Sequence, residues 1–409
     1  MILTIFCLVY LALAIGHLPG FRLDRTGAAM VGAMLLLVFG YITPAEAWDA
    51  IDYPTIGLLF GLMVISAAFK VAGFYDRVAW KIGSFDVGPK TLLAIVIAVS
   101  GGLSALLTND VIVLAMTPMF CAICQARRLN PVPFLLAFCY AANIGAAATL
   151  IGSPQNMIAV EALRVSFVGL AAVALVPVII SLPLIWVVMV WLYRGQWHLA
   201  EATDAPLPSV PPTGYSQAET LQAALVATAV VIAFIVTDWP HMLVAMAGAS
   251  FLLVSRRYAS DDMISEVDGN LILLLFGLFV VNAALATTGI PQEALGYMRD
   301  AGFDLREPVS MMAIMSVLSN IIGNNPAVML VMPLLGGAEH ANALGAAITI
   351  GTGFASNALI FGSLAGIIVT EESRRSGVVI SFRDFSRAGV PVAVLSLLVA
   401  AGWMLYLGY

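Results

Sequence analysis

The chain is 409 residues long, 61% of them apolar and only 10% charged, against about 25% charged in an ordinary soluble domain. With a mean hydropathy of +0.99 and apolar runs recurring from end to end, it reads as an integral membrane protein, which excludes a water-soluble enzyme. The net charge is −6, and 18 Lys and Arg are scattered over short loops, which excludes nucleic acid as a partner; with no GxxxxGK[ST] phosphate cradle and no spare domain, the chain alone is not an ATP-driven pump.

A transmembrane helix needs about 20 residues. Apolar runs of that kind predict helices at 2–20, 27–44, 55–72, 134–165, 168–193, 218–238, 241–255, 270–288, 343–371 and 387–408. The first run has no basic residue before its apolar stretch, so it reads as a span and not a signal peptide. Two further runs, 91–125 and 308–337, are interrupted by Thr108-Asn109-Asp110 and by Gly323-Asn324-Asn325-Pro326. Each half is short for a crossing, so each run is expected to be a re-entrant hairpin. Cys7, Cys121, Cys124 and Cys139 fall inside apolar runs and read as packing residues. No cofactor and no metal site are expected.

Lys and Arg collect in cytoplasmic loops. With the N-terminus outside, Arg164, Arg299 and Arg306 alone fall outside and the other fifteen of the 18 fall inside. The split holds only if both interrupted runs are re-entrant, because a crossing by either would reverse every later loop. The predicted fold is therefore an all-α polytopic protein of about ten spans plus two hairpins, set in an inner (plasma) membrane bilayer with both termini on the outer face.

The sequence also repeats internally. Leu-Leu-Phe-Gly-Leu at 58–62 recurs at 274–278, Asn109 lies over Asn324 and Pro118 over Pro333 at an offset of 215, and Gly152-Ser153 lies over Gly362-Ser363 at 210. By the charge rule the copies run in opposite directions. Residues 1–193 (hairpin 91–125, broken helix 134–165) and 218–409 (hairpin 308–337, broken helix 343–371) are thus expected to be inverted repeats joined by a cytoplasmic linker, 194–217. Inverted repeats with broken helices are the architecture of secondary transporters, with substrate held at mid-membrane.

An acid between apolar helix halves costs about 2.5–3.5 kcal/mol even on the lenient insertion scale, which singles out Asp110. It caps the helix starting at Val111, carries the coupled proton, since burial disfavours its charged form, or does both; its counterpart, Asn325, cannot titrate. Thr108, Asn109, Asn324 and Asn325 at the hairpin tips offer donors and acceptors to a ligand, or satisfy the helix ends there. Facing them are the helix breaks, with Gly152, Ser153 and Asn156 in one and Asn357, Gly362 and Ser363 in the other, where half-helix N-termini present free N–H groups. No Lys or Arg is near these four elements in sequence, which favours a small neutral polyhydroxyl solute over an anion.

At the hairpin tips and helix breaks the chain resembles the ion transporter superfamily, which includes ArsB-type arsenite permeases and citrate and dicarboxylate transporters. Leu107-Thr-Asn-Asp110 running on to Thr117-Pro118, Asn324-Asn325-Pro326 and Gly362-Ser363-Leu364-Ala365 resemble the arsenite permeases, whereas Ile151-Gly-Ser-Pro-Gln-Asn156 is more similar to the citrate-type permeases. The Ser-Asn-Thr signatures of the dicarboxylate branch are absent. The resemblance implies an elevator-like transport domain, a homodimer and, for the arsenite type, a cytoplasmic ATPase partner. The expected function is proton-coupled efflux of trivalent arsenite or antimonite as the neutral hydroxide; the alternative is a proton- or sodium-coupled symporter of citrate, a dicarboxylate or an inorganic anion.

Overall fold

A computed structural model describes residues 1–16, 23–198, 214–254, 258–335 and 340–409. Most of the 194–217 linker, and Arg22, Arg256 and Arg257 of the charge count, lie outside the described residues. In chain order the helices are α1 (Ile2–Ile15), α2 (Arg25–Val38), α3 (Pro44–Asp49), α4 (Tyr53–Val71), α5 (Phe74–Gly83), α6 (Pro89–Leu106), α7 (Asn109–Ala126), α8 (Pro131–Ala146), α9 (Pro154–Leu163) and α10 (Phe167–Leu192). The second half continues with α11 (Gln217–Val236), α12 (His241–Leu253), α13 (Ser260–Ile264), α14 (Gly269–Ala286), α15 (Ile290–Asp300), α16 (Pro308–Ile322), α17 (Asn324–Val331), α18 (Ala341–Ala355), α19 (Leu364–Arg375) and α20 (Phe382–Tyr406). Among the described residues, α4, α6, α7, α10, α11, α14 and α20 are long and apolar enough to cross a membrane, and six further apolar helices are shorter.

The two long helices read from sequence are each two helices. Residues 134–165 become α8 and α9, and 343–371 become α18 and α19, because 147–153 and Ser356 to Ser363 leave the α-helical path, and Pro154 then opens α9. The first hairpin departs from expectation in length: α6 and α7 have 18 residues each, long enough to cross. Arg127 nevertheless holds the two ends together. Its guanidinium donates to the Phe85 and Val87 carbonyls at 2.9 and 2.6 Å, so α6 enters and α7 leaves on one face. The amphipathic α5 and α15, which no search for spanning runs detects, follow α4 and α14 after Gly73 and Gly289, whose φ of +72° and +75° favour glycine.

Connections define two faces. Asn130 N–H bonds the Trp197 carbonyl (2.9 Å) and Ser216 N–H the Ala72 carbonyl (3.0 Å), so the first hairpin's base, the end of α10 and the start of α11 share what we call the linker face. On the opposite face the end of α20 meets the start of α10 through Trp403 Nε1 to the Val173 carbonyl (3.1 Å), and Tyr409 packs on His340 at the start of α18. There the second hairpin begins, because α16 runs parallel to α18, Ser316 Oγ and Asn320 Nδ2 donating to the Gly351 and Ala355 carbonyls. The hairpins thus enter from opposite faces, and the fold is two inverted repeats.

The repeat reaches atomic detail. A Cβ on Gly61 would stand 2.7 Å from the Ala245 carbonyl carbon, and one on Gly277 2.6 Å from that of Ala29. Both pairs are offset by the same 216 residues read from the sequence. Asp52 and Asp268, at that offset too, cap α4 and α14 by accepting from Thr55 N–H and Leu271 N–H.

Candidate functional site

Each hairpin tip is seated in a helix break. Asn109 N–H bonds the Gly152 carbonyl at 2.9 Å, and Thr149 Oγ1 donates to the Ala105 carbonyl at 2.6 Å. At the second tip Asn324 Nδ2 donates to Ser356 Oγ at 3.1 Å. One residue joins the two assemblies. Asn143, on α8, receives Asn109 Nδ2 on its Oδ1 (3.4 Å) and donates from Nδ2 to Asn357 Oδ1 (3.0 Å) and Ser363 Oγ (3.1 Å); Ser153 Oγ donates to Asn109 Oδ1 (3.1 Å). Asn143 lies inside a run that reads as a span from sequence; an amide amid that apolar run, in a helix buried at all positions but Val132, is itself the signal.

Between the tips lies a cavity of about 290 Å³ lined by Asn109, Asp110, Ser153, Gln155, Asn324, Asn325 and Ser363, together with Arg25, Asp268 and Asn270. Thr108 lines an adjoining cavity of about 330 Å³ that shares Asp110, Asp268 and Asn270 and leads past Glu266. Glu266 is paired with Lys70 at the end of α4, so the site opens toward the linker face. Asp110 makes no capping bond: α7 starts at Asn109, its N-cap is Thr108, and the carboxylate faces the cavity. The reading of Asp110 as a helix cap is set aside on that geometry.

The remaining sequence candidates lie behind the lining. Asn156 Nδ2 donates to the Ala146 and Thr149 carbonyls, both at 2.8 Å, stapling the first break. Gly152 and Gly362 allow close approach, a Cβ meeting the Ala146 carbonyl oxygen at 2.3 Å and Asn320 Oδ1 at 2.5 Å respectively. Asn357 is buried and reaches the site through Asn143.

The expectation that no basic residue stands near the site is corrected. Arg25 lines the cavity, its Nη1 3.9 Å from where a Cβ on Gly323 would stand, and its Nε donates to the Leu13 carbonyl at 3.1 Å. The reason is geometric: α2 has only 14 residues, about 21 Å at 1.5 Å per residue, so its first residue starts inside the membrane and not in a surface loop. Asp268 reaches the same cavity as the N-cap of α14.

Cys121, Cys124 and Cys139 are buried and line none of these cavities. Among the described residues, no three His, Cys, Asp or Glu are grouped to hold a metal ion.

Asn143→Ala is expected to lower stability by about 1–3 kcal/mol, because it strands buried polar partners in both halves; thermal unfolding in detergent measures this, and an unchanged transition would show that the link is not structural.

Residues 8–351 match the citrate transporter family, CitMHS. The chain belongs to that family. Over their whole length, this chain and a 46 kDa membrane protein of Mycobacterium leprae (strain TN) are 28% identical, the alignment covering 100% of the one and 98% of the other. The silicon efflux transporter LSI3 of Oryza sativa subsp. japonica is 36% identical over 151 residues, 37% of this chain and 31% of that one. Among solved structures, the YdaH transporter of Alcanivorax borkumensis, described as having an unusual topology, superposes with a TM-score of 0.58 at 16% identity, covering 100% of this chain and 98% of its own; the likeness is one of fold. The chain is thus a multi-pass membrane transporter of the ion transporter superfamily.

Proposed function

We propose that the protein is a proton-coupled secondary transporter that exports trivalent arsenite or antimonite as the neutral hydroxide. The observation carrying this reading is the uncapped Asp110 carboxylate facing a cavity of about 290 Å³ between two hairpin tips, where amides and hydroxyls supply both donors and acceptors. Asp110 and Asp268 outnumber Arg25 around that cavity, so it does not concentrate positive charge for a polyanion. Asn325 Oδ1 is buried without a protein partner and is free to accept from a hydroxyl. The rice relative is named for silicon efflux, and silicon, like trivalent arsenic, dissolves as a neutral hydroxide. Asp110 takes up a proton from one face and releases it to the other. The linker face is cytoplasmic on the charge rule, with both termini outside; a homodimer and a cytoplasmic ATPase partner belong to the same reading.

A second reading, symport of citrate or another carboxylate, is favoured by Arg25 and by the family match. Transport into inside-out vesicles separates the two. Arsenite and antimonite are expected to accumulate under an imposed proton gradient, and citrate and succinate are not; carboxylate accumulation with no response to arsenite would move the assignment to the second reading. Asn324→Ala is expected to weaken binding of the transported solute by about 1–3 kcal/mol if a buried partner is left unpaired.

A further inference from the structure

We propose that Arg25 and Glu371 form the ion-pair lock of the other conformational state, replacing the His241–Glu161 pair that closes this one. The inference rests on the reading above of a secondary transporter whose site meets one face and then the other.

In this state His241 Nδ1 meets Glu161 Oε1 at 3.0 Å. The pair joins the first residue of α12 to α9 on the opposite face, where a separate cavity of about 580 Å³ contains no residue of the site. On the linker face the equivalent space is open. The 330 Å³ cavity lies there, between Leu364 and Ile368 of α19 and residues 267–271 at the start of α14, whereas the matching helices of the other repeat, α9 and α4, are packed together.

The offsets already established name the residues that would close that space. At 216 residues, which relates Ala29 to Ala245, His241 corresponds to Arg25, and each is the first residue of its helix. At 210 residues, which relates Gly152-Ser153 to Gly362-Ser363, Glu161 corresponds to Glu371 and Arg164 to Arg374. Each repeat therefore carries one basic residue and one acid at matching positions. Only one such pair is made here. Glu371 is held instead by Arg374 at 3.6 Å and Arg375 at 3.7 Å, and Arg25 faces the cavity.

A second asymmetry gives the size of the movement. Ser66 and Asn282 correspond at offset 216. Ser66 Oγ accepts from Thr108 N–H at the first hairpin tip (3.1 Å), but Asn282 Nδ2 donates to the Met329 carbonyl (3.1 Å). The counterpart of Thr108 in the second hairpin is Gly323, so Asn282 holds its hairpin six residues further along, about 9 Å at 1.5 Å per residue. When the repeats exchange conformations, each hairpin slides by about that distance past its supporting helix. Glu161 then leaves His241 for Arg164, and Glu371 leaves Arg374 for Arg25.

Paired cysteines in the full chain test this, in proteoliposomes with Cys7, Cys121, Cys124 and Cys139 replaced by Ala. His241→Cys with Glu161→Cys, and Arg25→Cys with Glu371→Cys, are each expected to be bridged by a short bis-methanethiosulfonate reagent, which makes a disulfide to each thiol and spans the length of the side chains removed, to arrest transport and to release it on reduction. With all four substitutions in one chain, a given molecule is expected to form one bridge or the other. Two bridges in one molecule, or no 25–371 bridge in protein that still transports, would overturn the proposal. If the cysteine pair does not fold, Arg25→Lys keeps the charge, and carbodiimide coupling read by mass spectrometry is expected to give an amide between position 25 and Glu371; its absence in active protein counts against the lock. Mutually exclusive bridges in protein that moves none of the tested solutes would support the lock and overturn the cargo reading.

Discussion

Asp110→Asn is expected to abolish gradient-driven transport while leaving solute affinity within about tenfold, or about 1.4 kcal/mol. The amide keeps the size of the side chain and its place at the cavity wall. It removes only the ability to gain and lose a proton. No capping bond is lost, because Asp110 makes none, so the variant should fold and unfold like the parent. Binding by isothermal titration, with uptake under an imposed proton gradient, separates the two roles. Undiminished proton-driven uptake would exclude Asp110 as the coupling group, and failure to fold would return it to a structural role.

Gly389→Ala is expected to destabilise the fold by about 3 kcal/mol or more, at or above the upper end of ordinary overpacking. Gly389 lies on α20 against the second helix break, and a Cβ there would stand 1.7 Å from the Asn357 carbonyl oxygen. That oxygen belongs to backbone and has little room to retreat, since α20 is also fastened by the Tyr140 hydroxyl donating to the Phe385 carbonyl at 2.6 Å. Gly402→Ala, on the same helix with nothing within 4 Å of its Cβ, is the control and should change stability by no more than about 0.5 kcal/mol. Thermal unfolding in detergent compares them; equal transitions would mean that α20 does not press on the break.

The membrane architecture was legible because its signals are local or periodic. Apolar runs mark spans, Asn109 and Asn324 mark tips, and the matched Gly61 and Gly277 mark equivalent crossings that the structure realises with near-identical contacts. The helix breaks were legible for the same reason, since Gly152-Ser153-Pro154 cannot continue a helix without strain. The electrostatics of the site were not. Arg25 and Asp268 are ordinary helix-end charges in sequence, and their approach to Asp110 depends on how short α2 is and how deeply α14 begins. Asn143 was hidden differently: one amide in a sixteen-residue, almost wholly buried helix leaves hydropathy almost unchanged, yet it bonds residues of both hairpin-and-break assemblies. The consequence for function is specific. A site read as free of positive charge holds one guanidinium against two carboxylates, so the case for a neutral solute rests on that balance and not on the absence of a cation.

The most direct test of alternating access at this site is sidedness of a single cysteine in the cavity. Asn325→Cys, in otherwise cysteine-free protein reconstituted in one orientation, is to be labelled with a membrane-impermeant thiol reagent from each face in turn. Labelling is expected from the linker face at rest, slower labelling when the transported solute is present, and labelling from the opposite face once a proton gradient drives the cycle. Labelling from one face alone under every condition, in protein that still transports, would contradict the account.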